Sequence, residues 1–301
     1  MEKQNSQMVL SDEQEKYRQE LIRSLLKDTR IIHFQQRYQV NDAFIEKNSG
    51  SFKRWIDTLD LCKNCVGLSY CRQQIPGKVK TLIVDESGFL EDIYVSCKQK
   101  KAQEEKQAHR KNFRLSHMDP KDYEIFIENI DLRKENKEYI MAVNQVLDSF
   151  QTKKGLYMYG QPGVGKTYLL LAVANYFASN QQKVSFVRVP QLMQDLKQSM
   201  FDQEYRQTIT SHLRHSDVLI LDDIGAEAVS IWTRDEILLP ILEYRMNHHK
   251  KTYFSSNYKL DELEKQYVVK NESNGGIAAM RILERIKALS IPCALKGRSR
   301  R

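Results

Sequence analysis

Residues Gly160, Gln161, Pro162, Gly163, Val164, Gly165, Lys166 and Thr167 spell GxxxxGKT between the apolar run GLYMYG and the helical run YLLLAVANYFA. No other stretch narrows the fold as much. A glycine-rich turn from a buried strand into a helix points successive backbone N–H groups at one spot and aims the helix N-terminus there, which suits a polyphosphate. The same alternation continues downstream. KVSFVRV reads as a strand, PQLMQDLKQSM as a helix, VLILDD as a strand, RDEILLPILEYRM as a helix and TYFSSN as a strand. Strands separated by helices predict an α/β fold, a doubly wound parallel sheet with ligands at the carboxyl ends of its strands.

That geometry assigns chemistry to residues. Lys166 neutralises the β and γ phosphates of ATP, and Thr167 holds Mg²⁺. Val218 to Leu221 form an apolar run ending in Asp222 and Asp223. A buried strand would bring both carboxylates out beside the phosphate loop, Asp222 towards Mg²⁺ and Asp223 towards the attacking water. Taken alone, the pair also reads as acidic turn residues after a core strand. Asn257 ends TYFSSN, where it reads either as a turn residue or as a hydrogen-bond partner of the water or γ phosphate.

At 301 residues the chain is long enough for two domains. The run KQKKAQEEKQAHRKNFR, nearly devoid of apolar side chains, predicts a solvated helix or linker, with DNA contact as an alternative. It separates an N-terminal domain, 1–110, from a C-terminal one, 111–301. Ser11 and Gln14 form a capping-box pattern before Tyr17, Leu21, Ile22, Leu25 and Leu26, an apolar helix face that packs in a core or docks a partner helix. Tyr123 to Phe150 is expected to be helical. Cys62, Cys65, Cys71 and Cys97 cluster, while Cys293 stands alone. The Cys62-x2-Cys65 pair is a half-site for a tetrahedral ion that the other two would complete, with Zn²⁺ favoured over free buried cysteines or an iron–sulfur cluster. Such a closed site would be structural. The net charge of +8 favours an acidic partner such as nucleic acid. Phe201 and Tyr205 lie in a polar insertion and could stack on the bases of single-stranded DNA, or belong to the core. No run suits a membrane span or signal peptide, so a cytoplasmic location is expected.

GLYMYGQPGVGKTYLL, VLILDDIGAEAVSIWTRDEILLPILEYRM, TYFSSNY and RILERI together resemble the bacterial replicative helicase loaders of the DnaI and DnaC type, within the AAA+ ATPases, and the DnaI branch in particular. The resemblance runs from about Lys154 onward. It implies an AAA+ P-loop parallel sheet without a C-terminal lid, preceded by a small, mostly helical zinc-binding domain. Asp222 and Asp223 match the Walker B pair and Asn257 the sensor-1 position. Arg285 matches the arginine finger, with Arg281 one turn earlier; a surface salt bridge is the other reading of Arg285. In the tail GRSRR, Arg298 or Arg300 matches the sensor-2 arginine. The loaders carry a histidine zinc ligand soon after the third cysteine, and this chain has no histidine between Cys62 and Cys97. The function implied is an ATPase, weak as an isolated protomer, that delivers a hexameric DnaB-type helicase onto single-stranded DNA and self-associates through its AAA+ domain. Two alternatives share the motifs: a transposase-helper ATPase acting on duplex DNA, and a nucleotide-gated adaptor with negligible hydrolysis.

Overall fold

The computed structural model describes residues 11–133, 135–270, 272–297 and 299. The chain divides into two compact units, Met1–Lys106 and Gln107–Arg301.

The first unit is built from helices α1 (Asp12–Leu26), α2 (Thr29–Tyr38), α3 (Asp42–Lys47) and α4 (Ser49–Asp60), a hairpin of β1 (Lys78–Val84) and β2 (Leu90–Ser96), and α5 (Lys98–Gln107). Polar side chains fix where the helices start. Ser11 and Gln14 make the reciprocal capping box of α1, Asp28 caps α2 and Asn41 caps α3. Spacing of three and four residues on α4 turns Phe52, Trp55 and Ile56 inward, where they meet Leu25, Ile31, Phe34, Ile45 and Leu82 of the hairpin. The apolar face of α1 is therefore core at its C-terminal end, whereas Tyr17 is exposed.

The four-sulfur metal site expected of Cys62, Cys65, Cys71 and Cys97 is not assembled. Among the described residues no three histidine, cysteine, aspartate or glutamate side chains stand as a metal ion needs them. The thiols are held by separate partners. Cys62 Sγ accepts from Gln73 Nε2 at 3.2 Å, Cys71 Sγ from the Gly77 N–H at 3.5 Å, and Cys97 Sγ from the Lys100 N–H at 3.4 Å. Cys62, Cys65 and Cys71 line one surface cavity to which Cys97 does not contribute.

The second unit continues with β3 (Phe113–Ser116), α6 (Lys137–Gln151), β4 (Gly155–Tyr159), α7 (Lys166–Ser179), β5 (Val184–Arg188), α8 (Val189–Gln198), α9 (Gln203–His215), β6 (Val218–Asp222), α10 (Leu239–Asn247), β7 (Lys251–Ser256), α11 (Leu260–Tyr267), α12 (Gly275–Leu289) and β8 (Ser290–Ala294). Its six-stranded sheet has the order β3-β5-β6-β7-β4-β8, and every neighbouring pair is parallel. Both faces are covered. Tyr157, Leu219, Leu221 and Phe254 point into one core layer, while Leu156, Met158, Val218, Ile220 and Tyr253 point into the other. Burial on both sides is why these strands read as unbroken apolar runs rather than as alternation.

Three expectations about local structure need correction. The end of the basic run is not solvated linker: His109 and Asn112 are buried, and Asn112 Nδ2 donates to the Ala178 carbonyl at 2.8 Å. Tyr123 to Phe150 is helical only from Lys137, because the Asn175 side chain takes the carbonyls of Asp122 and Ile125, at 2.7 and 2.8 Å, and holds short 3₁₀ turns there instead. The helix read in RDEILLPILEYRM starts as a π-helical stretch, Trp232–Leu238, before α10. Within it Arg234 is fully buried, forked onto Asp235 and Glu272 and donating to the Tyr267 carbonyl. No helix among the described residues is long and apolar enough to cross a membrane.

Candidate nucleotide site

The P-loop links β4 to α7 and requires glycine for two separate reasons. Gly165 takes a φ of +102° to start α7, a region that side chains avoid. A Cβ on Gly160 would fall 2.1 Å from the Leu295 carbonyl oxygen, because the chain leaving β8 crosses directly beneath. Lys166 Nζ donates to the Gly160 carbonyl at 2.8 Å, the Gln161 carbonyl at 3.0 Å and Asn257 Oδ1 at 2.8 Å. As the first residue of α7, the lysine folds its side chain back over the loop that precedes it.

Parallel strands bring the remaining groups to the same place. Thr167 Oγ1 reaches both oxygens of Asp222, at 3.1 and 3.0 Å. Asn257, just past β7, spans the two charges of the site: its carbonyl accepts from Lys166 and its Nδ2 donates to Asp223 Oδ1 at 3.2 Å. Asp223 has a φ of +59°, a left-handed conformation that costs a non-glycine residue about 1 kcal/mol. Burial pushes the Asp222 carboxyl above its ordinary pKa, against hydrogen bonds from Ser255 and Thr167 that hold it down, and the neighbouring Asp223 charge adds to the rise. Just beyond, buried Glu227 accepts from the Gly225 N–H at 2.7 Å and from Tyr267 Oη at 2.5 Å, tying the loop after β6 to α11.

Lys166, Thr167, Asp222, Asp223, Ser255 and Asn257 line a cleft of about 880 Å³. Pro162, Ile130, Tyr139 and Tyr168 give it an apolar wall, and Arg188 adds a cation on the side of β5. The hydroxyl of Thr167 and the carboxylate of Asp222 are hard oxygen donors within hydrogen-bond distance of each other, a pair that fits Mg²⁺. Lys166, Thr167, Asp222, Asp223 and Asn257 are thus brought together, with Gly163 and Gly165. Arg285 is not among the cleft residues. It lies on α12 with Nη2 3.5 Å from Glu243 Oε1 and Nη1 3.3 Å from the Arg281 carbonyl. Arg298 and Arg300 fall outside the described residues. Phe201 is fully exposed between α8 and α9, with Met200 and Tyr205 exposed beside it, so none of the three is core.

Several cleft residues were not singled out from sequence, and for two of them, Arg188 and Ser255, signals were present. Arg188 is the last residue of KVSFVR and pairs in register with Asp222. Ser255 stands two residues before Asn257, and the two-residue period of a strand places both on one face.

Comparisons with known proteins agree with this geometry. The model of the IstB-like ATP binding protein family matches residues 83–299. The replicative helicase loader DnaI of Bacillus subtilis (strain 168) is 29% identical over 268 residues, covering 87% of this chain and 85% of that protein. The replicative helicase loader DnaC of Buchnera aphidicola subsp. Baizongia pistaciae is 28% identical over 126 residues, covering 40% of this chain and 50% of its own. Among solved structures, a crystal structure of DnaI superimposes with a TM-score of 0.55 and 32% identity, covering 64% of this chain and 99% of that one.

Proposed function

Because the chain belongs to the IstB-like ATP-binding protein family, we propose that it is an ATP-dependent loader that delivers a hexameric DnaB-type replicative helicase onto single-stranded DNA. One observation carries the reading. The match to a replicative helicase loader covers 87% of the chain, more than the ATP-binding unit Gln107–Arg301 can supply alone. The family model begins at residue 83 and speaks mainly for the ATP-binding unit, which a transposase helper acting on duplex DNA would share.

In this reading the backbone N–H groups of Gly163 to Thr167 and the N-terminus of α7 cradle the phosphates of ATP. Lys166 exchanges Asn257 and the loop carbonyls for phosphate oxygens. Thr167 and Asp222 would hold Mg²⁺, which would supply positive charge to offset that of the phosphates. Asp223 orients the attacking water or takes its proton, and Asn257, freed from Lys166, reports the γ phosphate to β7. Arg285 completes the site of a neighbouring copy as its arginine finger. An arginine of the tail, Arg298 or Arg300, serves as sensor 2. The first unit grips the helicase. The exposed tip at Met200, Phe201 and Tyr205 contacts single-stranded DNA, with the basic balance of the chain assisting through phosphates.

The test places the helicase on circular single-stranded DNA bearing an annealed oligonucleotide, so that no free end allows threading. Strand displacement should require this protein and ATP. It should vanish with Lys166→Ala, whose nucleotide affinity should drop at least about tenfold, the equivalent of one lost charged hydrogen bond. Equal displacement without the protein, or stimulation confined to duplex DNA, would sink the loader reading.

A further inference from the structure

Ser255 is buried in the C-terminal half of β7 and has a single hydroxyl between the two acidic residues of the cleft. Its Oγ–H donates to Asp222 Oδ1 at 2.6 Å, and its oxygen accepts from the Asp223 N–H at 2.9 Å. Both partners need it. Among the described residues Asp222 has two other side-chain hydrogen bonds, and both run to the single hydroxyl of Thr167. Without the serine the carboxylate would be held from one side only. Asp223 is in the left-handed region with no glycine freedom, and its N–H is turned inward to the serine while its side chain faces Asn257.

We infer that Ser255 is the positioning residue of the acidic pair. Its hydroxyl orients Asp222 towards Thr167, where Mg²⁺ is to be held, and pins the backbone turn that directs Asp223 at the attacking water. It acts through the two carboxylates, leaving each one orientation, as a hydrogen-bonded neighbour of a metal ligand does generally. Such a role makes Mg²⁺ dependence, rather than nucleotide affinity, the property that should change. The inference rests on the roles proposed above for Asp222 and Asp223.

Ser255→Thr and Ser255→Val form the deciding comparison, since their side chains have the same shape and differ by a hydroxyl against a methyl. Any disturbance from the added bulk is common to both. Binding of a fluorescent ATP analogue to the full chain is measured in EDTA and across a Mg²⁺ titration, and ATP turnover is followed across the same titration. In EDTA the two variants should bind equally. With Mg²⁺, the half-saturating concentration should be about 10- to 100-fold higher for Ser255→Val than for Ser255→Thr, the range expected for losing a ligand's hydrogen-bonded neighbour, with Ser255→Thr close to the parent. Ser255→Ala, which adds no bulk, should match Ser255→Val. Coincident Mg²⁺ curves for the Thr and Val variants would overturn the inference. Asp222→Asn is included to separate the two levels. If it shifts the Mg²⁺ curve while Thr and Val coincide, the role of Asp222 stands and that of Ser255 falls. If Asp222→Asn leaves the curve unmoved, the role of Asp222 fails and takes the inference with it.

Discussion

Several segments of the ATP-binding unit converge on one buried cation. Arg245 is fully enclosed and makes six hydrogen bonds, to the carbonyls of Leu213, Arg214, Ser216, Asp217 and Lys251 and to Thr252 Oγ1. None of those acceptors is a carboxylate. Burial pulls its pKa down, yet the oxygens around it sit at the C-terminus of α9 and the starts of β6 and β7, where carbonyl dipoles favour positive charge. Arg245→Leu should therefore lower the unfolding free energy by about 3 kcal/mol, since several carbonyls lose their only side-chain donor at about 1 kcal/mol or more each. Arg245→Lys should recover little, having three donors where the planar fork offers five. Urea denaturation decides it, and a loss below 1 kcal/mol would refute the assignment. Nothing in the sequence marks this residue. In LLPILEYRM a lone arginine at helical spacing reads as the solvent side of α10, and only the oxygens of distant segments turn that position inward.

Among the elements, legibility followed burial on both faces. β4 and β6 announced themselves as apolar runs because a strand covered on both sides is mostly apolar, β7 was marked by Tyr253 and Phe254 although Thr252, Ser255 and Ser256 are buried in it too, and the carboxylates and amide at their ends then fell together. The two edge strands did not. β3 is only four residues long, and β8 carries Pro292, which has no N–H to donate and is tolerated at an edge because no strand on the open side needs that donor. The cysteines were read as a four-sulfur ligand set, and among the described residues they do not stand as one: Cys62, Cys71 and Cys97 each accept from a separate local donor, while Cys65 Sγ lies 3.9 Å from the Gly67 carbonyl. Their reactivity offers a check. The N–H groups of Gly77 and Gln73 hold the Cys71 thiol below its ordinary pKa, so it carries thiolate at lower pH, while burial pushes buried Cys293 up to about 11. With iodoacetamide near pH 8, Cys71 and exposed Cys65 should be labelled first and Cys293 only on unfolding, as mass spectrometry would show. Joint protection of Cys62, Cys65, Cys71 and Cys97 that a chelator relieves would reinstate the four-sulfur site.

At the scale of the whole molecule, Lys166, Thr167, Asp222, Asp223 and Asn257 meet in the cleft, whereas Arg285 is not among the residues that line it. Arg285 instead rests against Glu243 on the surface of its own unit. If that guanidinium serves a second copy, Arg285→Ala and Lys166→Ala should each be inactive alone and recover turnover when mixed on the helicase, because one interface then pairs an intact P-loop with an intact finger. The gain over the single variants should be large, since arginine fingers contribute about 10³ or more in rate. Co-assembly without recovery would leave Arg285 a surface ion pair. The sheet order carries a different message, about time. The strand that bears the P-loop is flanked by β7 and β8, the two strands of this sheet that come last along the chain. On a ribosome its neighbours are the final ones to emerge, and the floor under Gly160 arrives only with Leu295. A growing chain exposes the phosphate-binding signature long before it owns the walls that make it bind, so capture of ATP marks a unit whose synthesis has passed its last strand, and the nucleotide then favours that finished state by mass action.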